Sequence, residues 1–222
     1  MSRRRSVAHC TVLLALALGG PGLPLAQAAQ PAAATSGPHI LVVGDSLSAE
    51  YGLERGSGWV ALLQQRLDRE GIAARVTNAS ISGDTTAGGR SRLPALLKQN
   101  RPDVVILELG GNDALRGLPL ESTQANLAAM ARAARDAGAR VLILGMQIPP
   151  NYGRQYADRF AALFGDVAHA ENAALVPFML KGVADAANAE SMFQPDRIHL
   201  IAAAHPKILA NVWPALKPLL KS

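Results

Sequence analysis

The stretch Ile40-Leu41-Val42-Val43-Gly44-Asp45-Ser46-Leu47 decides the architecture. Four apolar residues in succession, three of them β-branched, stop at a glycine and give way to polar side chains. An unbroken apolar run of this kind, bounded by turn residues, predicts a strand buried on both faces, and such strands belong to parallel sheets flanked by helices. The glycine lets the chain turn sharply. In an open α/β sheet, ligands bind beyond the carboxyl ends of the strands, so the Ser46 hydroxyl is expected where a nucleophile would stand. Taken by itself, Gly-Asp-Ser reads first as the cap of a following helix, through Ser46 or Asp45, and other parts of the chain have to shift that balance.

Outward from this stretch, apolar runs recur at 75–78, 104–109, 141–146 and 175–178. The segments between them carry helix-period stripes: Trp59, Val60, Leu62, Leu63 and Leu67 closed by Gly71, then Leu93, Leu96 and Leu97, then 127–137 closed by Gly138. Phe160, Leu163, Phe164 and Val167 predict a fourth helix, and Ile208, Leu209, Val212 and Trp213 a last one. The alternation predicts a parallel sheet of about five strands with helices on both faces, in one α/β domain spanning 39–222. There is no internal repeat.

Composition bounds the function. With 49% hydrophobic and 18% charged residues, the 222-residue chain has the makings of one sizeable core. Arg3-Arg4-Arg5 precede an apolar stretch from 12 to 18, and Ala26-Gln27-Ala28 supplies small residues at a cleavage position, so 1–28 is expected to be a secretory signal peptide. The apolar stretch is shorter than the ~20 residues a bilayer span requires, and no transmembrane anchor is expected. Residues 29–38 form a flexible lead-in. Removing the three arginines takes the formal charge from +5 to +2, which withdraws the main support for a nucleic-acid partner. Cys10 leaves with the leader, so neither disulfides nor thiolate-metal sites are expected, and the mature protein is expected to be periplasmic or secreted.

Polar clusters follow successive strands and precede the last helix: Ser46, then Asn78-Ala79-Ser80-Ile81-Ser82-Gly83-Asp84-Thr85, then Gly110-Gly111-Asn112-Asp113, then Asp196-Arg197-Ile198-His199. Strand ends in a parallel sheet share one edge, so these groups can converge. A serine hydroxyl needs an imidazole to take its proton and a carboxylate to hold that imidazole in the right tautomer; His199 and Asp196 can supply both. Gly83 and Asn112, with the backbone N–H of Ser46, are candidate donors to a developing oxyanion. Taken singly, each is matched by ordinary turn or cap chemistry. His205 is a rival base without a carboxylate at matching spacing, expected on the surface or at a helix N-terminus; His39 and His169 are expected to be structural. The histidines are too dispersed for a metal site.

In this order and on this strand pattern, the four clusters resemble the sequence blocks of the SGNH-hydrolase family, also called GDSL esterases, over nearly all of the chain after the leader. The likeness is strongest to its multifunctional periplasmic bacterial thioesterase, lysophospholipase and arylesterase members, through 44–49, 78–85, 92–98 and 108–113. The resemblance implies a three-layer α/β/α, flavodoxin-like fold and a Ser46–His199–Asp196 triad. It also implies an oxyanion hole from Ser46, Gly83 and Asn112, and no metal or organic cofactor. Leu115 and Leu118, in a mobile loop at 114–119, and Ile148 and Pro149, in a facing wall at 148–152, would then line the acyl groove. The implied activity is hydrolysis of acyl esters and thioesters, including lysophospholipids, by a monomer. An acetyl esterase of carbohydrate or cell-wall polymers and a lipid-binding module without turnover are the alternatives. The chain departs from the family pattern at three places. Arg197 stands where glycine is common and Leu200 where proline is common; Glu50 occupies a position usually small. An arginine at positive φ would cost about 1 kcal/mol or more and misplace the imidazole. The Glu50 carboxylate would repel anionic substrates or draw the imidazole into a wrong pair.

Overall fold

The computed structural model describes residues 37–221; the expected leader, and all but the last two residues of the lead-in, lie outside them. Five strands form one parallel sheet: β1 (His39–Gly44), β2 (Arg75–Asn78), β3 (Val104–Glu108), β4 (Arg140–Leu144) and β5 (Ala174–Val176), in the order β2-β1-β3-β4-β5. Every residue of β1 and β3 is buried, as their unbroken apolar runs require. The edge strand β2 is only half covered and starts on a charged arginine. β4 and β5 end earlier than the apolar runs do. Beyond the strand ends Gly145 still donates its N–H to the Val176 carbonyl at 2.7 Å and accepts the Met179 N–H at 3.0 Å, and a Cβ there would lie 2.3 Å from the Pro177 carbonyl oxygen, so the two strand ends are drawn together through a glycine.

Six helices cover the sheet: α1 (Trp59–Arg69), α2 (Thr86–Asn100), α3 (Gly111–Leu115), α4 (Leu120–Asp136), α5 (Arg154–Ala170) and α6 (His205–Leu216). Parallel crossovers are right-handed, so α1, on the outward step from β1 to β2, lies on one face, while α2, α4 and α5, on steps in the opposite direction, lie on the other. The packing agrees: α1 meets α6, and α4 meets both α2 and α5. Two helices begin well before their expected stripes. In α2 the first buried residues are Thr86 and Gly89 rather than leucines, and a Cβ on Gly89 would come within 2.3 Å of Leu109 Cδ1, so close approach to the sheet replaces an apolar stripe. In α4 the first turn buries Leu120 and Thr123. The core between layers contains fully buried Trp59 and a T-shaped Phe160–Phe164 pair at 5.2 Å. Each large apolar side chain removed from water there contributes roughly 1.5–3 kcal/mol.

The topology fixes where chemistry can occur. From β1 the chain runs out to β2 and then crosses back to β3 on the opposite side of β1, so the strand order reverses between β1 and β3. A crevice opens at such a reversal, beyond the carboxyl ends. Ser46 and the Gly110–Asp113 segment emerge at this point.

Candidate active site

The chain after β1 does not enter a helix directly; it coils through residues 45–52 by turns in which Ser48 and Ala49 N–H donate to the Asp45 carbonyl. Ser46 is therefore not a helix cap, since α1 begins only at Trp59. Its Oγ lies 2.8 Å from His199 Nε2, 153 residues away. On the other side of the ring, Nδ1 lies 2.7 Å from Asp196 Oδ2, while Asp196 Oδ1 accepts the backbone N–H of Ile198 and of His199, both at 2.9 Å. The His199 side-chain bond, aided by these two backbone bonds, lowers the Asp196 carboxyl to about 2, so it is ionised at neutral pH. A carboxylate at Nδ1 favours the tautomer that carries its proton there, which leaves the Nε2 lone pair facing the Ser46 hydroxyl. The Tyr51 ring lies 4.2 Å from the imidazole, centroid to centroid.

Gly83 sits at φ +79°, a conformation glycine adopts freely, and among the described residues its N–H has no acceptor. Its loop is braced by Arg92, which reaches from α2 to the Asp84 carboxylate at 2.8 Å and to the carbonyls of Ala79 and Gly44. The Asn112 carboxamide donates one N–H to Asp45 Oδ2 at 3.0 Å, leaving its second N–H for the cavity. The neighbouring Asp113 is buried and accepts from Thr86 N at 2.9 Å, from Thr123 Oγ1 at 3.2 Å and from Thr86 Oγ1, fastening α3 to α2 and α4. Arg92 and the buried carboxylates brace these loops, a part that the motif reading did not give them even where it quoted their segments. Asp45 was visible only as a candidate cap, and nothing in the sequence marks which carboxylates are buried.

Two of those carboxyls lie under the serine turn. Gly44 pairs with Glu108 across β1 and β3, and a Cβ on Gly44 would stand 2.6 Å from Glu108 Oε2. The same oxygen accepts the Ser48 hydroxyl at 2.6 Å and the Asp45 N–H at 3.3 Å, while Oε1 has no partner among the described residues. Burial, and then the charge of Asp45, push Glu108 well above the usual carboxylate range. Burial likewise raises Asp45 to about 6, against the bonds it receives from Leu47 and Asn112.

Ser46, Gly83, Asn112 and His199 share the wall of one cavity of about 670 Å³, whose apolar part includes Met146, Phe160, Leu180 and Phe193. Leu115, Ile148 and Pro149 line it; Leu118 does not, its carbonyl accepting the Tyr156 hydroxyl instead. A second depression, lined by Leu62, Arg66 and Leu209 between α1 and α6, holds none of these groups. Among the described residues, no three His, Cys, Asp or Glu side chains gather as metal ligands.

The three departures from the family pattern behave differently from expectation. Glu50 neither faces the cavity nor pairs with the imidazole: its carboxylate accepts the N–H groups of Gly56 and Gly58, at 2.8–3.1 Å, and so ties down the loop leading to α1. Arg197 does adopt positive φ, at +59°, yet the Ser46–His199 and His199–Asp196 distances are intact. Leu200 is buried and pairs with Phe193 in an antiparallel bridge. His205 opens α6 and is buried rather than on the surface, its Nδ1 accepting the Trp59 N–H at 3.0 Å; burial lowers its pKa. His39 bridges the Asn100 carbonyl and the Thr77 hydroxyl across the sheet, and His169 is exposed at the end of α5.

The profile of the GDSL-like lipase/acylhydrolase family matches residues 42–206. The chain is 55% identical over 198 residues to esterase TesA of Pseudomonas aeruginosa, covering 89% of this chain and 96% of that one. It is 38% identical over 180 residues to thioesterase 1/protease 1/lysophospholipase L1 of Escherichia coli K12, with 81% and 84% covered. The crystal structure of the psychrotrophic esterase EstA from Pseudoalteromonas sp., inhibited by monoethylphosphonate, superposes with a TM-score of 0.77 at 38% identity, covering 83% of this chain and all of that one.

Proposed function

Since the chain belongs to the GDSL-like lipase/acylhydrolase family, we propose that it is a serine hydrolase that cleaves acyl esters and thioesters through an acyl-serine intermediate on Ser46. His199 Nε2 takes the Ser46 proton as Oγ attacks the acyl carbon. The carbonyl oxygen becomes an oxyanion and accepts hydrogen bonds from the Ser46 and Gly83 N–H groups and the Asn112 carboxamide. Collapse of this intermediate breaks the bond to the alcohol or thiol, which leaves with the proton held by His199. Water then gives a proton to His199 and attacks the acyl-serine, and a second collapse returns that proton to Ser46 Oγ and releases the carboxylic acid. Asp196, ionised throughout, stabilises the imidazolium formed in each half.

The observation that carries this reading is the pair of contacts on one imidazole, 2.8 Å to Ser46 Oγ and 2.7 Å to Asp196. The substrates are small acyl esters, aryl esters, acyl-CoA thioesters and lysophospholipids. The apolar cavity favours acyl chains longer than acetyl over an acetyl esterase of carbohydrate polymers, because an acetyl group would leave the wall formed by Met146, Phe160 and Phe193 unused. After removal of 1–28 the enzyme works in the periplasm or outside the cell as a monomer, with no nucleic-acid partner and no cofactor. Among the described residues no helix is long and apolar enough to cross a membrane.

A p-nitrophenyl ester series from acetate to palmitate, with an acyl-CoA and a lysophospholipid added, tests the reading. Turnover is expected to rise from acetate towards medium chains and to fall about ten-thousandfold or more in Ser46→Ala. A fluorophosphonate should label the wild type stoichiometrically and leave Ser46→Ala unlabelled. Labelling without turnover, or binding without either, would return the protein to a lipid-binding module.

A further inference from the structure

Among the described residues, the Gln194 side chain joins by hydrogen bonds the turn that carries the serine and the loop that carries the base. Gln194 Nε2 donates to the Tyr51 carbonyl at 3.0 Å and to the Leu200 carbonyl at 2.9 Å. The first acceptor belongs to the turn that begins at Ser46, since Tyr51 N–H reaches back to the Ser46 carbonyl at 3.4 Å. The second follows His199 directly. The Gln194 backbone closes the base loop from within: its N–H donates to the His199 carbonyl at 2.7 Å, and its carbonyl accepts the Arg197 N–H at 2.9 Å. Room for the carboxamide depends on Gly52, where a Cβ would stand 2.3 Å from Gln194 Oε1 and where φ is +69°.

From these contacts we infer that Gln194 is a positioning residue: its carboxamide locks the Asp196–His199 loop against the Ser46 turn and fixes where the imidazole lies. The consequence is local. Residue 197 holds a left-handed conformation that an arginine does not favour. Without the lock the loop is free to relax, and it would carry the ring away from Ser46 Oγ. Displacement of a general base by about 1 Å reduces turnover by about a hundredfold. Tyr51, whose backbone Gln194 holds, lays its ring on the imidazole at 4.2 Å, so one carboxamide restrains the base both through its own loop and through the ring covering it.

This inference rests on Ser46 being the nucleophile, and its test separates the two. Gln194→Met keeps the length of the side chain and removes both hydrogen bonds. It is expected to lower kcat on a p-nitrophenyl ester about ten- to a hundredfold with KM within about threefold, and to slow fluorophosphonate labelling of Ser46 in parallel. The thermal midpoint should stay within a few degrees of the wild type. The downfield proton resonance of His199 Nδ1, visible without turnover, should broaden or vanish. Gln194→Glu, which sets a carboxylate against two carbonyl oxygens, is read in the same way should the methionine variant fold poorly. Wild-type kcat and labelling rate in a folded Gln194→Met or Gln194→Glu protein would overturn the inference, as would a loss confined to KM. Absence of Ser46-dependent turnover in the wild type would instead sink the functional reading, while the proton resonance would still decide the position of the ring.

Discussion

Arg197 and Glu50 adopt the same left-handed backbone conformation, at φ +59° and +60°, and they are stabilised by different amounts in return. A side chain with a Cβ loses about 1 kcal/mol there relative to glycine. Glu50 recovers more than this, because its carboxylate accepts the Gly56 and Gly58 N–H groups, and hydrogen bonds to a charged acceptor contribute about 1.5–3 kcal/mol. The Arg197 guanidinium has no carboxylate partner among the described residues. Opposite outcomes follow for one type of substitution. Arg197→Gly should raise the free energy of unfolding by about 0.5 kcal/mol, once the extra freedom of glycine in the unfolded chain is subtracted. Glu50→Gly should lower it by about 1–2 kcal/mol. Urea titrations of the two variants beside the wild type measure both, and equal shifts would refute this account of the two residues.

At the scale of elements, α3 is the piece that could not stand alone. Five residues are far below the length at which an isolated helix persists in water, so its position, and with it that of Asn112, is set by what it is fastened to. The fastener is Asp113, which takes three donors from α2 and α4. Asp113→Ala strands the Thr86 N–H in the interior and takes one partner from each of two threonine hydroxyls, which keep Asn126 and the Pro119 carbonyl, and this should cost about 2–3 kcal/mol in unfolding free energy. In the molecules that remain folded it should also reduce kcat about tenfold or more, because the proposed oxyanion donor on Asn112 loses its fixed direction. Denaturant unfolding and active-site-titrated kinetics separate the two effects. The same element marks the boundary of what a sequence tells. β1 and β3 were legible because a strand buried on both faces reads as a nearly unbroken apolar run, and Ser46, Gly83 and Asn112 were legible in the turn segments that follow such runs, Asp196 and His199 in the segment before the last helix. α2 was legible only in its second half, since its first half packs by the absence of side chains at Gly89. Glu108 was hidden inside an apolar strand, and Gln194 among loop residues, because what matters in both is a partner more than fifty positions away in the chain.

For the molecule as a whole, the reversal of strand order brings the serine turn and the Asn112 segment to one crevice, and it also sets two carboxyl groups into the centre of the sheet beneath them. Groups whose folded pKa lies above the unfolded value stabilise the fold only while they hold their proton. Asp45, raised by burial from about 4 to about 6, contributes stability that is complete below pH 4 and is lost as the pH rises through 6. Glu108, which burial and the charge of Asp45 push well above the usual carboxylate range, contributes with the same sign. Asp196 has the opposite sign: its carboxyl is lowered to about 2, so its contribution is present above pH 4 and disappears as the pH falls towards 2. These two carboxyls, Asp45 and Glu108, therefore favour mildly acid solution, whereas His39 and His205, both lowered by burial, add stability as the pH rises through about 6.5, so the carboxyl contribution is read as a difference between wild type and variant. Glu108→Gln tests this directly, since it keeps the acceptor for Ser48 and removes the titration. Between pH 5 and pH 8 the urea midpoint of the wild type should fall relative to that of the variant, the histidine contributions being common to both. A slope unchanged in Glu108→Gln would mean that the buried carboxyl is ionised at no cost to the fold.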